Sequence, residues 1–166
     1  MILDAFSLRG KVAIVTGCDT GLGQGMSLGL AEAGCDIIGI NRKYPHDTEQ
    51  QVIALGRRFT AIQADLSQQA SYDALVQEAV SRMGRIDILV NNAGTIRRAD
   101  ALEFSEQDWD DVINLNLKAT FFLCQAVARP QAIWRPTIPS SYARMRSAMT
   151  RSLTAFPPRA GGRLTI

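Results

Sequence analysis

Three glycines between an apolar run and a helical pattern constrain this chain more than any other feature of its 166 residues. The apolar run Val12–Val15 is mostly β-branched and leads into glycines at positions 17, 21 and 23. Glycine accepts a positive φ, which suits a sharp reversal after a strand, and it lets an anion approach the backbone closely. The unpaired N–H groups of a first helical turn then attract a phosphate. The stretch predicts the opening strand, turn and helix of a nucleotide-binding domain, while a glycine-rich turn without a ligand is the simpler alternative.

Short apolar runs alternate with helical patterns along the chain. The pattern predicts strands at residues 12–15, 36–40, 58–63 and 87–90, and helices at residues 22–33, 48–55, 67–83 and 105–128. Runs that are apolar throughout are typical of parallel strands covered by helices on both faces. Because such strands are joined by right-handed helical crossovers, we predict an α/β fold, a Rossmann-type doubly wound parallel sheet with strand order 3-2-1-4. Its cofactor crevice is expected outside the carboxyl ends of the first and fourth strands.

Charge and proline content divide the chain near residue 128. Residues 1–128 hold 11 of the 18 Lys and Arg and all 16 Asp and Glu. Residues 129–166 hold seven arginines, no acidic residue and five of the six prolines. We predict a dinucleotide-binding domain over residues 1–128 and an irregular Arg/Pro-rich tail over residues 129–166. Our hypothesis is that this tail is a frameshifted or otherwise aberrant end, and a nucleic-acid-binding arm is the less favoured alternative because no motif supports it.

The sequence disfavours a membrane protein and a metalloprotein. No apolar run approaches the roughly 20 residues that span a bilayer, and no secretory signal is visible at the amino terminus. The three cysteines, Cys18, Cys35 and Cys124, form neither a C-x-x-C motif nor a pair with histidine. Scattered cysteines of this kind are typical of small buried or half-buried thiols in a reducing compartment. We therefore expect a cytoplasmic protein with no membrane partner and no metal.

Four motifs in order resemble those of the short-chain dehydrogenase/reductase family. They are T-G-x-x-x-G-x-G from Thr16, Asp65-Leu66, the Asn91-Asn92-Ala93-Gly94 run, and Asn114-Leu115-Asn116. The resemblance covers about residues 7–128, so the fold is expected to be truncated relative to the family. It implies an NAD(P)-dependent oxidoreductase whose small-molecule substrate is a sugar acid, such as 2-deoxy-D-gluconate or 2-dehydro-3-deoxy-D-gluconate. It also implies a homo-oligomer, a tetramer in full-length relatives, packed through the helix that carries Trp109 and Phe121.

The resemblance implies a role for each matching position. The pyrophosphate turn is expected to contain Thr16, Gly17, Asp19, Gly21, Leu22 and Gly23. Asp65 and Leu66 are expected to flank the adenine, and Asn91, Ala93 and Gly94 to lie against the cofactor ribose. Asn116 is implied to be a catalytic residue that holds a water in a proton relay. The structural alternatives are a helix cap for Asp65, a strand-end hydrogen bond for Asn91 and a helix kink for Asn116.

Cofactor choice depends on the residue that follows the second strand. An acid there accepts hydrogen bonds from the ribose 2′-hydroxyl and selects NAD. This chain has Asn41, followed by the basic pair Arg42-Lys43. Asparagine can bond the hydroxyl without repelling a phosphate, and the basic pair could meet a 2′-phosphate. The resemblance favours NAD, and NADP remains open.

The catalytic pattern of the family is missing from this sequence. Members use a tyrosine with a lysine four residues on, and a serine that polarises the carbonyl. Their positions correspond to the neighbourhoods of Met145 and Phe156, which offer no such chemistry. The tail's one tyrosine, Tyr142, has Arg146 in the place of the lysine, and an arginine cannot relay a proton. Two hypotheses follow, a sugar-acid oxidoreductase and an inactive fragment that retains only dinucleotide binding.

Overall fold

The computed structural model describes residues 2–68 and 71–129, and the side chains within this part from residue 4 onward. A short 3₁₀ helix, Ile2–Phe6, precedes the sheet. The strands are β1 (Val12–Thr16), β2 (Asp36–Asn41), β3 (Phe59–Gln63) and β4 (Ile88–Val90). The helices are α1 (Gly21–Glu32), α2 (His46–Ala54), α3 (Tyr72–Met83), α4 (Glu106–Ile113) and α5 (Thr120–Ala128). A π-helical stretch, Asn114–Ala119, connects α4 to α5.

The four strands form one parallel sheet in the order β3-β2-β1-β4, which confirms the predicted topology. In register, Ile14 of β1 lies between Ile38 of β2 and Leu89 of β4. All five residues of β1 are buried, as expected for a strand covered on both faces. The carboxyl ends of all four strands therefore lie at the same edge of the sheet.

Two apolar layers lie on opposite faces of this sheet. On one face, Ala13 and Val15 of β1 belong to a buried cluster with Ala31 of α1 and Val52 of α2. On the other face, the alternate β1 residues Val12 and Ile14 pack with buried residues of α3 and α5, namely Leu75, Val76, Ala79, Met83, Leu123 and Ala126. Successive side chains of a strand point to opposite faces, so one continuous apolar run serves both layers.

Helix α3 begins later than the sequence pattern predicts. The pattern extended this helix back to Ser67, but the structure places its N-cap at Ser71, whose hydroxyl accepts a hydrogen bond from the Ala74 N–H at 3.2 Å. Ser67 instead belongs to a turn, in which its N–H and hydroxyl both donate to the Asp65 carboxylate, at 3.0 and 2.6 Å. Serine next to aspartate satisfies its backbone locally in this way, which competes with helix formation.

Two carboxylates connect strand starts to neighbouring segments at the amino-terminal edge of the sheet. Asp36 accepts from the Arg58 backbone N–H at 3.0 Å and from its Nε at 2.8 Å. Asp87 accepts from the Val12 N–H at 3.0 Å and from Lys11 Nζ at 3.3 Å. Burial by itself would raise the pKa of each carboxyl, but these hydrogen bonds and charges outweigh it and lower both pKa values.

We expect the fold to lose stability in acid through these two groups. A lowered pKa in the folded state contributes stability that is present above the unfolded-state value of about 3.9, and this stability is lost as pH falls through the folded-state value. D36N and D87N should each lower the free energy of unfolding at pH 7 by about 1–2 kcal/mol and flatten its dependence below pH 4. Urea titrations at pH 7 and pH 3 check this. An unchanged acid slope in the double variant would show that other groups govern acid unfolding.

Candidate functional site

The turn after β1 requires glycine at three positions, for two different reasons. Gly17 has φ +65° and Gly21 has φ +58°, a left-handed conformation that side chains rarely adopt. Gly23 is needed because of space, since a Cβ there would lie 2.0 Å from the Gly17 carbonyl oxygen and 2.5 Å from Asn92 Nδ2. The first turn of α1 therefore packs directly on the backbone of the loop that precedes it.

The hydroxyl of Thr16 joins the end of β1 to the end of β4. It accepts hydrogen bonds from the backbone N–H groups of Asn92, at 3.0 Å, and Ala93, at 2.9 Å. It donates in turn to the Val90 carbonyl at 3.4 Å. The Asn92 side chain completes the junction by donating to the carbonyls of Thr16 and Gly17, at 3.1 and 2.9 Å. Two loops that are distant in sequence are held as one unit.

The glycine turn is also held from the side of β2. The Cys18 N–H donates to Asn41 Oδ1 at 2.7 Å, and the Cys18 carbonyl accepts from the Thr48 hydroxyl at 2.6 Å. Gln24 of α1 donates to the same Thr48 hydroxyl at 3.1 Å. Both backbone polar groups of Cys18 are therefore paired with buried side chains. These contacts rigidify the turn before any ligand binds.

Cys18 itself is unsuited to nucleophilic chemistry. Its side chain is fully buried, and this burial raises the pKa of the Cys18 thiol to about 12. Burial likewise raises the pKa of Cys35 to about 11. Because the thiolate is the reactive form, both residues are inert apolar groups at neutral pH.

A cleft of about 540 Å³ opens at the carboxyl ends of the strands. We call it the strand-end cleft. Its lining comes from four places, the glycine turn, the end of β2, the segment after β3, and the segment from the end of β4 to α4. The lining residues are Gly17, Asp19, Ile40, Asn41, Arg42, Lys43, Ala64, Asp65, Leu66, Ser67, Gln68, Asn92, Ala93, Gly94, Thr95, Arg97, Asp111 and Leu115.

Asn116 lies in the π-helical stretch between α4 and α5, beside the segment that follows β4. Its Oδ1 accepts from the Thr95 N–H and its Nδ2 donates to the Thr95 carbonyl, both at 2.8 Å. A Cβ added to Gly94 would lie 3.3 Å from the same Asn116 Oδ1. The side chain thus binds the backbone of the segment beyond β4, and π-helical turns of this kind occur frequently at functional sites.

The structure gathers about half of the residues singled out from the sequence into the strand-end cleft. Those that line it are Gly17, Asp19, Asn41, Asp65, Leu66, Ala93 and Gly94. Those that do not are Thr16, Gly21, Leu22, Gly23, Asn91 and Asn116. Thr16 and Gly23 shape the turn from beneath, whereas Leu22 is 81% exposed and Asn91 donates to Cys124 Sγ at 3.1 Å. The positions near Met145 and Phe156, and Tyr142 itself, lie outside the described residues.

Sequence reasoning missed two residues that build the site. Asn92 stands inside the N-N-A-G run, but the run alone did not reveal that its side chain caps the glycine turn. Thr48 was assigned only to a helix start, although its hydroxyl is buried and binds the Cys18 carbonyl. A fully buried threonine is identifiable only after the fold brings α2 against the turn.

Residues 2–68 and 71–129 contain neither a candidate metal cluster nor a candidate membrane helix. No group of three His, Cys, Asp or Glu residues in this part could hold a metal ion. No helix in the same part is long and apolar enough to cross a membrane.

The chain matches a family model and several characterised proteins. The model described as short chain dehydrogenase matches residues 11–132. The chain is 67% identical over 129 residues to the 2-dehydro-3-deoxy-D-gluconate 5-dehydrogenase of Escherichia coli strain K12, a match that covers 78% of this chain and 51% of that protein. The Dickeya dadantii protein of the same name is 61% identical, with the same shares covered. The chain thus spans about half the length of the curated relatives it matches.

A solved structure supports the same comparison. It is described as a 2-deoxy-D-gluconate 3-dehydrogenase from Agrobacterium tumefaciens with bound NADP, and it is 45% identical to this chain. The superposition has a TM-score of 0.68 and covers 74% of this chain and 48% of the other.

Proposed function

The chain belongs to the short-chain dehydrogenase family, and we propose that it forms the dinucleotide-binding half of an NAD(P)-dependent oxidoreductase acting on a sugar acid. The expected substrates are 2-dehydro-3-deoxy-D-gluconate and 2-deoxy-D-gluconate, because the similar proteins named above carry those substrates in their names. The single observation that carries the proposal is the glycine turn, which leaves no room for a Cβ at Gly23 and opens onto the strand-end cleft.

The residues present fit a dinucleotide. Gly17 and Gly23 have no side chains to cover the backbone at the amino end of α1. The N–H groups and the helix dipole at this end favour a phosphate. The cleft has the size of a small-molecule site. It lies where the strand order reverses, between the ends of β1 and β4. When bound, a nicotinamide cofactor supplies hydride transfer at its ring. The glycine turn would hold the phosphates, and the cleft lining at the ends of β2 and β3 would hold the adenosine.

We propose a positioning role for Asn116 in addition to the water-holding role implied by the family. Both polar atoms of its side chain are engaged with the Thr95 backbone. An amide nitrogen has a second N–H and an amide oxygen a second lone pair, so one further hydrogen bond at each remains for a water. In this proposal, Asn116 sets the position of the segment that borders the substrate.

We also propose a homo-oligomer and a cytoplasmic location. Trp109 and Phe121 are each 60% exposed, and Leu117 between them is 62% exposed. They lie along the continuous α4–α5 helix, so an apolar strip faces outward there. Strips of this kind on a soluble protein mark interaction sites, and a second copy is the occupant that the family suggests.

The purified 166-residue chain is expected to bind a reduced nicotinamide dinucleotide without oxidising or reducing a sugar acid. Binding should give a Kd between about 1 μM and 1 mM, read from cofactor fluorescence. Turnover should be at least about 10²–10⁴-fold below that of the Escherichia coli relative, because no tyrosine in the chain has a lysine four residues on. The assay is cofactor reduction at 340 nm with 2-deoxy-D-gluconate, run beside that relative.

The outcomes separate the two hypotheses. Binding with turnover comparable to the relative would contradict the binding-only reading and would support a catalytic group outside the family pattern. Failure to bind either dinucleotide by a folded chain would overturn the proposed function itself. Circular dichroism of the same sample establishes that the chain is folded.

The division into a domain at 1–128 and an atypical tail at 129–166 remains a proposal, as does the frameshift that we invoke to explain it. Sequencing the source DNA tests it directly. The hypothesis expects a Tyr-x-x-x-Lys motif in a shifted reading frame near the tail, and its absence from all frames would overturn the explanation.

A further inference from the structure

Arg97 connects the segment that follows β4 to helix α4. Its Nε pairs with the Asp108 carboxylate and one terminal nitrogen pairs with the Asp111 carboxylate, each at 3.1 Å. The other terminal nitrogen donates to the Thr95 hydroxyl at 3.1 Å and to the Ile96 carbonyl at 3.4 Å. All three guanidinium nitrogens are therefore engaged, and one side chain joins two residues of the segment to two residues of the helix.

The two carboxylates are themselves held in place on α4. Asp108 accepts from the Ser105 hydroxyl at 2.8 Å through its second oxygen, at the N-cap of the helix. Asp111 accepts from Gln107 Nε2 at 2.9 Å through its second oxygen. Each carboxylate thus presents one fixed oxygen to Arg97, and the planar fork of a guanidinium suits a pair of fixed acceptors better than an ammonium does. We call these five residues the Arg97 network.

The Arg97 network forms part of the wall of the strand-end cleft. Arg97 and Asp111 line the cleft, and so do Gly94 and Thr95 of the segment after β4. Thr95 is fixed from two sides, because Asn116 binds its backbone N–H and carbonyl while Arg97 binds its hydroxyl. The position of this wall therefore depends on Arg97 as well as on Asn116.

The charge balance of the network argues against a phosphate as the partner of Arg97. One positive charge faces two carboxylates within it, so the network has no surplus positive charge to attract an anion. The three side chains are also between 37% and 42% exposed, and ion pairs with that exposure contribute little to the free energy of unfolding. What the network changes is the geometry of the segment that it holds.

The sheet topology indicates which part of a cofactor would meet this wall. In the order β3-β2-β1-β4, the segment after β4 lies on the opposite side of the glycine turn from the ends of β2 and β3. A dinucleotide with its adenosine at β2 and β3 and its phosphates at the turn would therefore extend its nicotinamide half toward the segment after β4.

We propose that Arg97 is a positioning residue, which holds the segment after β4 against α4 and thereby shapes the part of the cleft that receives the nicotinamide half of the cofactor. The inference rests on the proposed dinucleotide binding. Arg97 acts through Thr95 and the backbone beside it, so its loss affects one half of the ligand and not the other.

The test compares two ligands on the variant R97Q, whose amide cannot bridge both carboxylates. The affinity for NADH should fall about tenfold, while the affinity for 5′-AMP, which carries only the adenosine half, should stay within about twofold. Fluorescence titration measures NADH and isothermal titration measures 5′-AMP, both on the folded 166-residue chain. The fluorescence of bound NADH, which reports the surroundings of the nicotinamide ring, should also change.

The outcomes distinguish this proposal from the proposed function. Equal losses for the two ligands, or no loss for either, would overturn the positioning role and leave dinucleotide binding standing. Failure of the unaltered chain to bind NADH and 5′-AMP would overturn the proposed function itself. R97K keeps the positive charge and loses the fork, so its NADH affinity should stay close to that of R97Q. Full recovery in R97K would show that charge alone acts, and would contradict the proposal.

Arg82→Gln is the matched control. Arg82 is an exposed arginine on α3 that pairs with Glu78 and donates to the Ala61 carbonyl, away from the cleft, so R82Q should change neither affinity. D111A should weaken NADH as R97Q does, and the double variant should be no weaker than R97Q alone, because both changes break the same link. Additive losses would contradict the network. If R97Q fails to fold, D111A, compared on NADH and 5′-AMP, decides in its place.

Discussion

Replacing Gly23 by alanine is expected to destabilise the fold by about 3 kcal/mol and to abolish dinucleotide binding. The new Cβ would lie 2.0 Å from the Gly17 carbonyl oxygen and 2.8 Å from the Gly17 carbonyl carbon. Those atoms are backbone, so the clash cannot be relieved by a side-chain rotation. Either the first turn of α1 moves outward or the turn after β1 shifts, and each displaces the N–H groups proposed to hold the phosphates.

Gly25→Ala is the matched control, in the same helix and two residues further on. Nothing lies within 4 Å of a Cβ built at Gly25, and the residue is exposed. Alanine there should stabilise the protein by about 0.5–1 kcal/mol, because it reduces the conformational entropy of the unfolded chain. Urea unfolding and cofactor titration of both variants measure the contrast. A G23A protein with normal stability and affinity would show that the turn is not a close-packed phosphate site.

Thr16→Val should destabilise the chain by about 3 kcal/mol, although it changes the side-chain volume very little. Valine removes the hydroxyl that accepts from the N–H groups of Asn92 and Ala93, and leaves both without that acceptor in a partly buried junction. Valine is also unable to donate to the Val90 carbonyl. Since the junction orders the cleft wall at Ala93, dinucleotide affinity should fall about tenfold as well.

Thr16→Ser separates the hydroxyl from the methyl group. Serine keeps the hydrogen bonds and loses one buried methyl, so the expected loss is about 1 kcal/mol with near-normal affinity. Thermal unfolding and fluorescence titration of the two variants check this order. If T16S is as damaging as T16V, packing of the methyl group governs the junction, and the hydrogen-bond account is wrong.

The strands could be predicted from local pattern because β1 and the middle of β2 are apolar without interruption. Runs such as Val12–Val15 and 36–40 can be buried only in a sheet covered on both faces, and short helical connections force a parallel arrangement. The same logic placed the glycine turn at the edge where the cleft lies. The helix predicted from residue 105 also begins there, since the Ser105 hydroxyl accepts from the Asp108 N–H at 3.1 Å as an N-cap.

Helix boundaries and irregular turns were less predictable. The predicted start of α3 was wrong because the Ser67 hydroxyl binds the Asp65 carboxylate, which holds Ser67 in a turn before the helix. The π-helical stretch at Asn114–Ala119 was anticipated only as a kink at Asn116. Its location depends on Thr95, which binds Asn116 from a separate segment of the chain.

The α/β class, the strand order and the turn proposed to hold phosphates could be predicted from the amino-acid sequence, because they depend on periodicity and on what glycine permits. The atoms that each side chain has left for a ligand depend on how distant segments pack. Thr16 is committed to residues 76 and 77 positions away, and Asn41 gives its oxygen to Cys18, 23 positions away. Hydrogen bonds between such distant residues leave no local pattern in the sequence, because packing of the folded chain brings donor and acceptor together. The unpaired Nδ2 of Asn41 is therefore visible only in the folded part of the chain that the structure describes.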